Sequence, residues 1–294
     1  MRFFNFVSKK RKSAHNKLMG LLKYLKTKKQ ERFRKKHKIG LCLSGGGVRG
    51  FSFVGAFKAF EEYGVKFDAV AGTSAGSLFG ALYAANISYK DMYKYVTNAK
   101  NTDFRKAKLG FLPSKMDTMH EKLSQILPVK KVEDLSLPYY AVAVDLKTGN
   151  EIHFHGGGLA TIITGSCAIP GVFYPVKYKG MNLIDGGVSN NVPVDVLKEH
   201  GCDLVITIDC NCTRGGGTNS ESLITQFITS IGIMMVNNSK KGLRLSDLTI
   251  CPNLKRFSSL NVKGKEDIIQ EGYIATIDMM PEILNLMNGN FKKK

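Results

Sequence analysis

Gly72-Thr73-Ser74-Ala75-Gly76 is the stretch that most constrains what this chain can fold into. The apolar run Phe67, Ala69, Val70, Ala71 leads into it and reads as a buried strand. The small-residue run from Ala75 to Leu82 leaves it and reads as a helix. A G-x-S-x-G sequence at a strand-to-helix junction has the form of a nucleophile elbow, a sharp turn that presents a serine at the C-terminal edge of a sheet. Gly72 and Gly76 suit such a turn, because a Cβ there would collide with neighbouring backbone. The helix N-terminus after Ser74 offers N–H groups and a positive dipole end to a developing oxyanion. The pentapeptide alone fits equally well a Gly/Ala-rich turn with an incidental serine, so its surroundings must decide.

Those surroundings alternate strands with helices. Lys38 to Leu43 reads as a strand, followed by a helix with Val54, Ala56, Phe57 and Phe60 on its apolar side and Gly64 as its stop. Ser88 caps a helix reaching Lys100, and Pro113 to Ile126 forms another. Pro138 to Asp145 is a strand with a hairpin partner at Glu151 to His155. A helix over Leu159 to Cys167, a strand over Met181 to Ile184, a helix over Pro193 to His200 and a strand over Leu204 to Asp209 follow. Ser220 to Asn237 and Lys265 to Leu286 complete the helices. This alternation predicts an α/β class with a mainly parallel central sheet.

Gly45-Gly46-Gly47-Val48-Arg49-Gly50, between the first strand and its helix, satisfies G-x-G-x-x-G. In a dinucleotide fold the ribose is held by an acid at the end of the second strand. Here the acid, Asp68, stands at the start of that strand, and the elbow occupies its end. The alternative is an anion-binding nest at a helix N-terminus. Adjacent turns of a parallel sheet open on one edge, so the amides of Gly45, Gly46 and Gly47 form an oxyanion hole facing Ser74.

A serine nucleophile needs a base. His15 and His37 lie in or beside the tail, and His120, His153, His155 and His200 occupy positions that suit solvated or structural roles. A Ser–Asp–His triad drawing on Asp145 or Asp185 and on His153, His155 or His200 stays formally open. Asp185 is favoured over Asp145 and Asp209, which also end strands, because Gly186 and Gly187 beside it let backbone and substrate approach closely.

The glycine loop, the elbow and Asp185-Gly186-Gly187, in this order and spacing, resemble the patatin-like phospholipase family. Ser166-Cys167-Ala168-Ile169-Pro170 and Asn191-Val192-Pro193 resemble segments of its bacterial members. The resemblance covers about residues 38–294. It implies a three-layer α/β/α patatin-like fold and a Ser74–Asp185 dyad without histidine. It also implies an oxyanion hole at Gly45–Gly47, with Arg49, Gly50, Gly72, Gly76, Gly186 and Gly187 as supporting positions. The implied reaction is release of fatty acids from phospholipids or related lipid esters through an acyl-enzyme, with no metal and no organic cofactor. A dinucleotide-dependent enzyme and a catalytically silent lipid-binding protein are the competing readings.

Charge separates a second region. The chain of 294 residues has a formal net charge of +19, yet residues 1–38 hold 15 Lys/Arg against one acid, while the remainder holds 28 against 23. Residues 1–37 therefore read as a basic amphipathic extension, and 38–294 as the domain. Phe3, Phe4, Phe6 and Val7 cluster, and Leu18, Leu21, Leu22 and Leu25 fall on one helical face among lysines. That pattern points to an anionic membrane surface, with a solubilising or nucleic-acid arm as the alternative; no nucleic-acid partner is expected. No apolar run reaches the ~18 residues of a spanning helix. The nearest, Leu223 to Val236, reads as a buried or cleft-lining helix. The six cysteines show no zinc spacing and are expected as reduced thiols. The expected location is cytoplasmic, peripheral at the inner face of the membrane.

Deleting residues 1–37 is expected to leave hydrolysis of a soluble short-chain ester nearly intact and to reduce sedimentation with anionic vesicles. The binding it removes should weaken with salt, since exposed charges are screened over about 10 Å at 0.1 M. Unchanged vesicle binding would leave the tail as a solubilising or nucleic-acid arm.

Overall fold

The computed structural model describes residues 37–100, 114–212, 223–259 and 261–289. The basic tail, and with it the membrane-surface reading of residues 1–37, lies outside them. The chain runs β1 (Ile39–Leu43), α1 (Ser52–Tyr63), β2 (Ala69–Thr73), α2 (Ala75–Ala84), α3 (Tyr89–Asn98), α4 (Asp117–Ile126), β3 (Tyr139–Asp145) and β4 (Glu151–Phe154). It continues through α5 (Leu159–Ser166), β5 (Val176–Tyr178), β6 (Met181–Asp185), α6 (Val194–Glu199), β7 (Leu204–Ile208), α7 (Leu223–Asn237) and α8 (Lys240–Leu245). It closes with β8 (Leu248–Ile250), α9 (Lys265–Asp278) and α10 (Met280–Met287).

One sheet of order β5-β6-β3-β2-β1-β7-β8 carries all the strands, with β4 paired to β3. The stretch β3-β2-β1-β7-β8 is parallel, while β4, β5 and β6 join antiparallel. Every residue of β1, β2 and β7 is buried, which requires cover on both faces. Alternate side chains accordingly feed separate cores. Ile39, Leu41, Leu43, Val70, Leu204, Ile206 and Ile208 pack with residues of α1, α2, α5, α9 and α10. Cys42, Ala69, Ala71 and Val205 pack beneath α6, with Leu243 of α8 against them. The expected three-layer α/β fold with a mostly parallel sheet is thus the fold found.

Three local expectations change. The single helix expected over Lys265 to Leu286 divides at Met279, because Pro281 lacks an N–H to continue the ladder. The three-residue strands β5 and β8 are too short to show a period in sequence. The expectation of six reduced thiols is corrected by a Cys212–Cys251 disulfide. β7 and β8 are parallel neighbours, so the residues leaving their C-terminal ends arrive side by side, with Cα atoms 5.6 Å apart. Cys42, Cys167, Cys202 and Cys210 are free and buried.

α1 and α9 cross in backbone contact. A Cβ on Gly55 would fall on the Ile269 carbonyl, and one on Gly272 on the Ser52 carbonyl. In a free helix Gly→Ala gains about 1 kcal/mol. Here overpacking against backbone dominates, so Gly272→Ala is expected to lose about 1–3 kcal/mol net, read as a lower midpoint in urea unfolding.

Candidate active site

Strand β3 brings the site together. Thr73 at the end of β2 pairs with Val142, and Asp185 at the end of β6 pairs with Ala143, the next residue along. Ser74 and Asp185 therefore meet from segments 111 residues apart. Ser74 adopts φ 53, ψ −123, a conformation that non-glycine residues avoid, as an elbow demands. Surrounding bonds hold it there. Ser74 N–H donates to Ser166 Oγ at 2.9 Å, and Ser166 Oγ donates to the Val142 carbonyl at 2.6 Å. Thr73 Oγ1 donates to the Asn190 carbonyl at 2.8 Å, and Ser77 Oγ to the Ser74 carbonyl at 2.7 Å. The flanking glycines have a steric cause: a Cβ on Gly72 would strike the Gly76 carbonyl, and one on Gly76 the Leu43 carbonyl.

Asp185 is fixed with equal care. Its N–H donates to the Ala168 carbonyl at 3.0 Å, and its Oδ1 accepts the Gly187 N–H at 2.9 Å. A Cβ on Gly186 would fall on the Val142 carbonyl. The carboxyl is 0% exposed and Ser74 3%. Burial pushes the Asp185 pKa up to about 7, against the opposing pull of the Ser74 hydroxyl and the Gly187 N–H. No hydrogen bond closes on its Oδ2 at rest. A carboxyl half-protonated near neutrality, with one free oxygen beside a serine hydroxyl, is chemically a proton acceptor in waiting.

The glycine loop lies across the same edge. Gly45 N–H donates to the Asn191 carbonyl at 3.0 Å and its carbonyl accepts from Asn211 Nδ2, so its amide is committed to holding the loop. Of the three amides expected to form an oxyanion hole, the N–H groups of Gly46 and Gly47 have no partner among the described residues. Gly47 sits at φ 58, and a Cβ there would meet the Ser259 carbonyl. Gly50 lets the loop pass Ala75, since an added Cβ would come within 2.7 Å of its methyl. Arg49 is buried and donates from Nε and Nη2 to the Phe257 carbonyl at 3.0 and 2.9 Å, bracing the loop from behind.

The competing residues are engaged elsewhere. Asp68 accepts the Ile39 N–H at the opposite end of β1 from the glycine loop, which removes the ribose carboxylate a dinucleotide site needs. Asp145 caps a turn, accepting from Asn182, Lys147 and Thr148. Asp209 accepts the Asn211 N–H in the β7 turn. His155 and His200 flank Tyr140, three residues along β3 from the level of Asp185. His120 pairs with Thr161. His153 bonds Glu151 at 2.7 Å, and Glu151 in turn accepts from Ser189 and Asn190, just past Asp185. Against the pull of burial, these bonds hold the Glu151 pKa down at about 2. None of these contacts reaches Ser74 or Asp185. Sequence reasoning missed the supporting roles of Ser166, Glu151, Asn190 and Asn191, although Ser166 and Asn191 lie in the two segments it singled out.

A family model described as patatin-like phospholipase matches residues 41–198, a span that contains the loop, the elbow and Asp185. Patatin-like phospholipase domain-containing protein 6 of Homo sapiens is 34% identical over 186 residues, covering 58% of this chain and 13% of its own length. Lysophospholipase nte1 of Aspergillus fumigatus is 27% identical over 256 residues, covering 84% of this chain and 16% of its own. The chain thus spans only a small part of the relatives it matches. Among solved structures, VipD from Legionella pneumophila superposes with a TM-score of 0.57 at 16% identity, over 84% of this chain and 67% of that one, a likeness of fold.

The raised Asp185 pKa carries a stability prediction. In the unfolded chain the carboxyl ionises near 4, whereas in the fold it stays protonated to about 7. The folded state binds the extra proton between these values, so stability falls as pH rises from about 4 to 7 and is flat above. Asp185→Asn has no such loss. Its melting temperature is expected to match the parent near pH 4 and to exceed it increasingly up to pH 7. A constant offset across that range would contradict the assignment.

Proposed function

Because this chain belongs to the patatin-like phospholipase family, we propose that it hydrolyses acyl esters of phospholipids or related lipids with Ser74 as nucleophile and Asp185 as base. The observation that carries this reading is the meeting of the Ser74 hydroxyl with the buried Asp185 carboxyl, beside two loop amides without a partner among the described residues. In the ionised enzyme Asp185 takes the Ser74 proton as Oγ attacks the ester carbonyl. The Gly46 and Gly47 N–H groups receive the oxyanion, and a donor of this kind is typically worth about 10²–10³-fold in turnover. Asp185 then gives its proton to the departing alcohol oxygen, leaving acyl-Ser74. Water attacks the acyl group, again losing its proton to Asp185, and the carboxylic acid departs with Ser74 restored. The names of the relatives, a phospholipase-domain protein and a lysophospholipase, support a lipid ester as the substrate class.

Ser74→Ala is expected to abolish hydrolysis and labelling by a fluorophosphonate while leaving the fold intact, and Asp185→Asn to be nearly as severe. Single replacements of His153, His155 and His200 should retain substantial activity. With Asp185 as the base, kcat/KM should rise with pH and level off above about 7. An essential histidine would replace the dyad with a triad. An unlabelled but folded parent chain would leave a silent lipid-binding protein.

A further inference from the structure

The helix α7 has two faces with different business. From Leu223 through Ser239 the sequence holds no charged residue. The inner side of the helix rests on the segment that follows Asp185. Met235 Cε sits against Gly187, and Asn238, just past the helix, donates to the Gly187 and Val188 carbonyls at 3.4 and 2.6 Å. Ser239 Oγ accepts from Asn191 Nδ2 at 3.0 Å. At the border between the two sides, one edge of the Phe227 ring lies over Gly171, after the turn that follows α5, and the rest of the ring is open.

Among the described residues the outer side is uncovered, and it carries four large apolar side chains among the uncharged Gln226, Ser230 and Asn237, which are also exposed. Leu223 is 79% exposed, Phe227 54% and Met234 56%, at spacings i, i+4 and i+11 that share one helical stripe, with Ile233 beside them. Tyr174, close to Gly171, is also exposed. The stripe contains no acid and leads directly into α8, where Lys240 and Arg244 are exposed. A chain that buries Phe, Ile and Met throughout its larger core does not leave them together on one helix by lack of room. Contiguous exposed apolar surface marks a contact with something apolar.

We propose that α7 is the face by which this chain lies on a lipid bilayer, and that its seating there governs access of an acyl ester to Ser74. An uncharged apolar stripe bordered by cations complements acyl chains beneath anionic headgroups. At about 22 Å long, the helix lies in the interface and does not cross it. The coupling to access follows from burial: Ser74 is almost fully covered, and the inner face of α7 rests on the segment directly after Asp185, so a shift of that face on the bilayer loosens the surroundings of the buried carboxyl. The inference rests on the lipid-hydrolase reading for its second half only.

The chain has no tryptophan, so Phe227→Trp in the full chain is a single reporter. Vesicles of phosphatidylcholine and phosphatidylserine in about 0.5 M salt, which shrinks screening to a few ångströms, remove most of the pull of the basic tail. The expected result is a blue shift and quenching by lipids brominated on the acyl chain, with Tyr95→Trp on α3 unaffected. The paired surface change Phe227→Asp, Met234→Asp should weaken vesicle binding in that salt by at least about tenfold, since two large apolar side chains are lost from the contact. It should lower vesicle-lipid turnover with it and leave soluble-ester turnover within about twofold. Absence of binding, or vesicle-bound protein whose reporter is neither shifted nor quenched, overturns the proposal. So does a pair that works on vesicles as the parent does. Loss of a parent dimer in the Asp pair, seen by sedimentation without vesicle contact, would assign the face to a second copy. A quenched reporter on a protein inert toward every ester would sink the hydrolase reading and leave the docking face standing.

Discussion

The Ser166 hydroxyl is the bond on which this site depends. It accepts the Ser74 N–H and donates to the Val142 carbonyl, tying the strained elbow to β3. Two residues later the Ala168 carbonyl accepts the Asp185 N–H. The end of α5 thus grips both Ser74 and Asp185 while β3 sets their level. A left-handed serine costs of order 1–3 kcal/mol unless its surroundings over-determine it, and here every neighbour does: Thr73, Ser77 and Ser166 each place a hydroxyl on the elbow or on the loop beside it.

The same closeness explains the glycines. Around the site, backbone runs against backbone, so Gly72, Gly76 and Gly186 leave no space for a Cβ. Close packing also desolvates Asp185, and the raised pKa is its electrostatic consequence. Stability given up by burying that carboxyl appears as basicity suited to accepting a proton at neutral pH, a trade in which site and fold draw on one free energy.

Outside this rigid region the structure is less self-contained. α7 rests on the segment after Asp185 through Met235, with Asn238 just past its end, and its other side is bare among the described residues, whereas α1 and α9, on a core face, touch backbone to backbone. The contrast is physical: helices that close a core bury apolar residues within the chain, whereas among the described residues nothing covers the outer side of α7. The exposed Lys240 and Arg244 that follow on α8 put positive charge at this edge of the domain.

Much of this was legible in the sequence. Strand-to-helix junctions at Gly45 and Ser74 and the Asp-Gly-Gly after β6 named the loop, the elbow and the acid, because turns and close approaches demand particular residues locally. Gly64, at φ 66, stops α1 as its position foretold. What the sequence could not carry were relations between distant segments: the register that sets Thr73 and Asp185 on adjacent residues of β3, the commitment of the Gly45 amide to Asn191, and the meeting of Cys212 with Cys251. It read Leu223 to Val236 as buried or lining a cleft, whereas the described residues of that helix are half-buried on one face and exposed on the other. Periodicity records that a helix has an apolar side, whereas only the tertiary arrangement decides whether protein covers it. Local chemistry fixes which residues can react; the packing of strands and helices decides which of them meet.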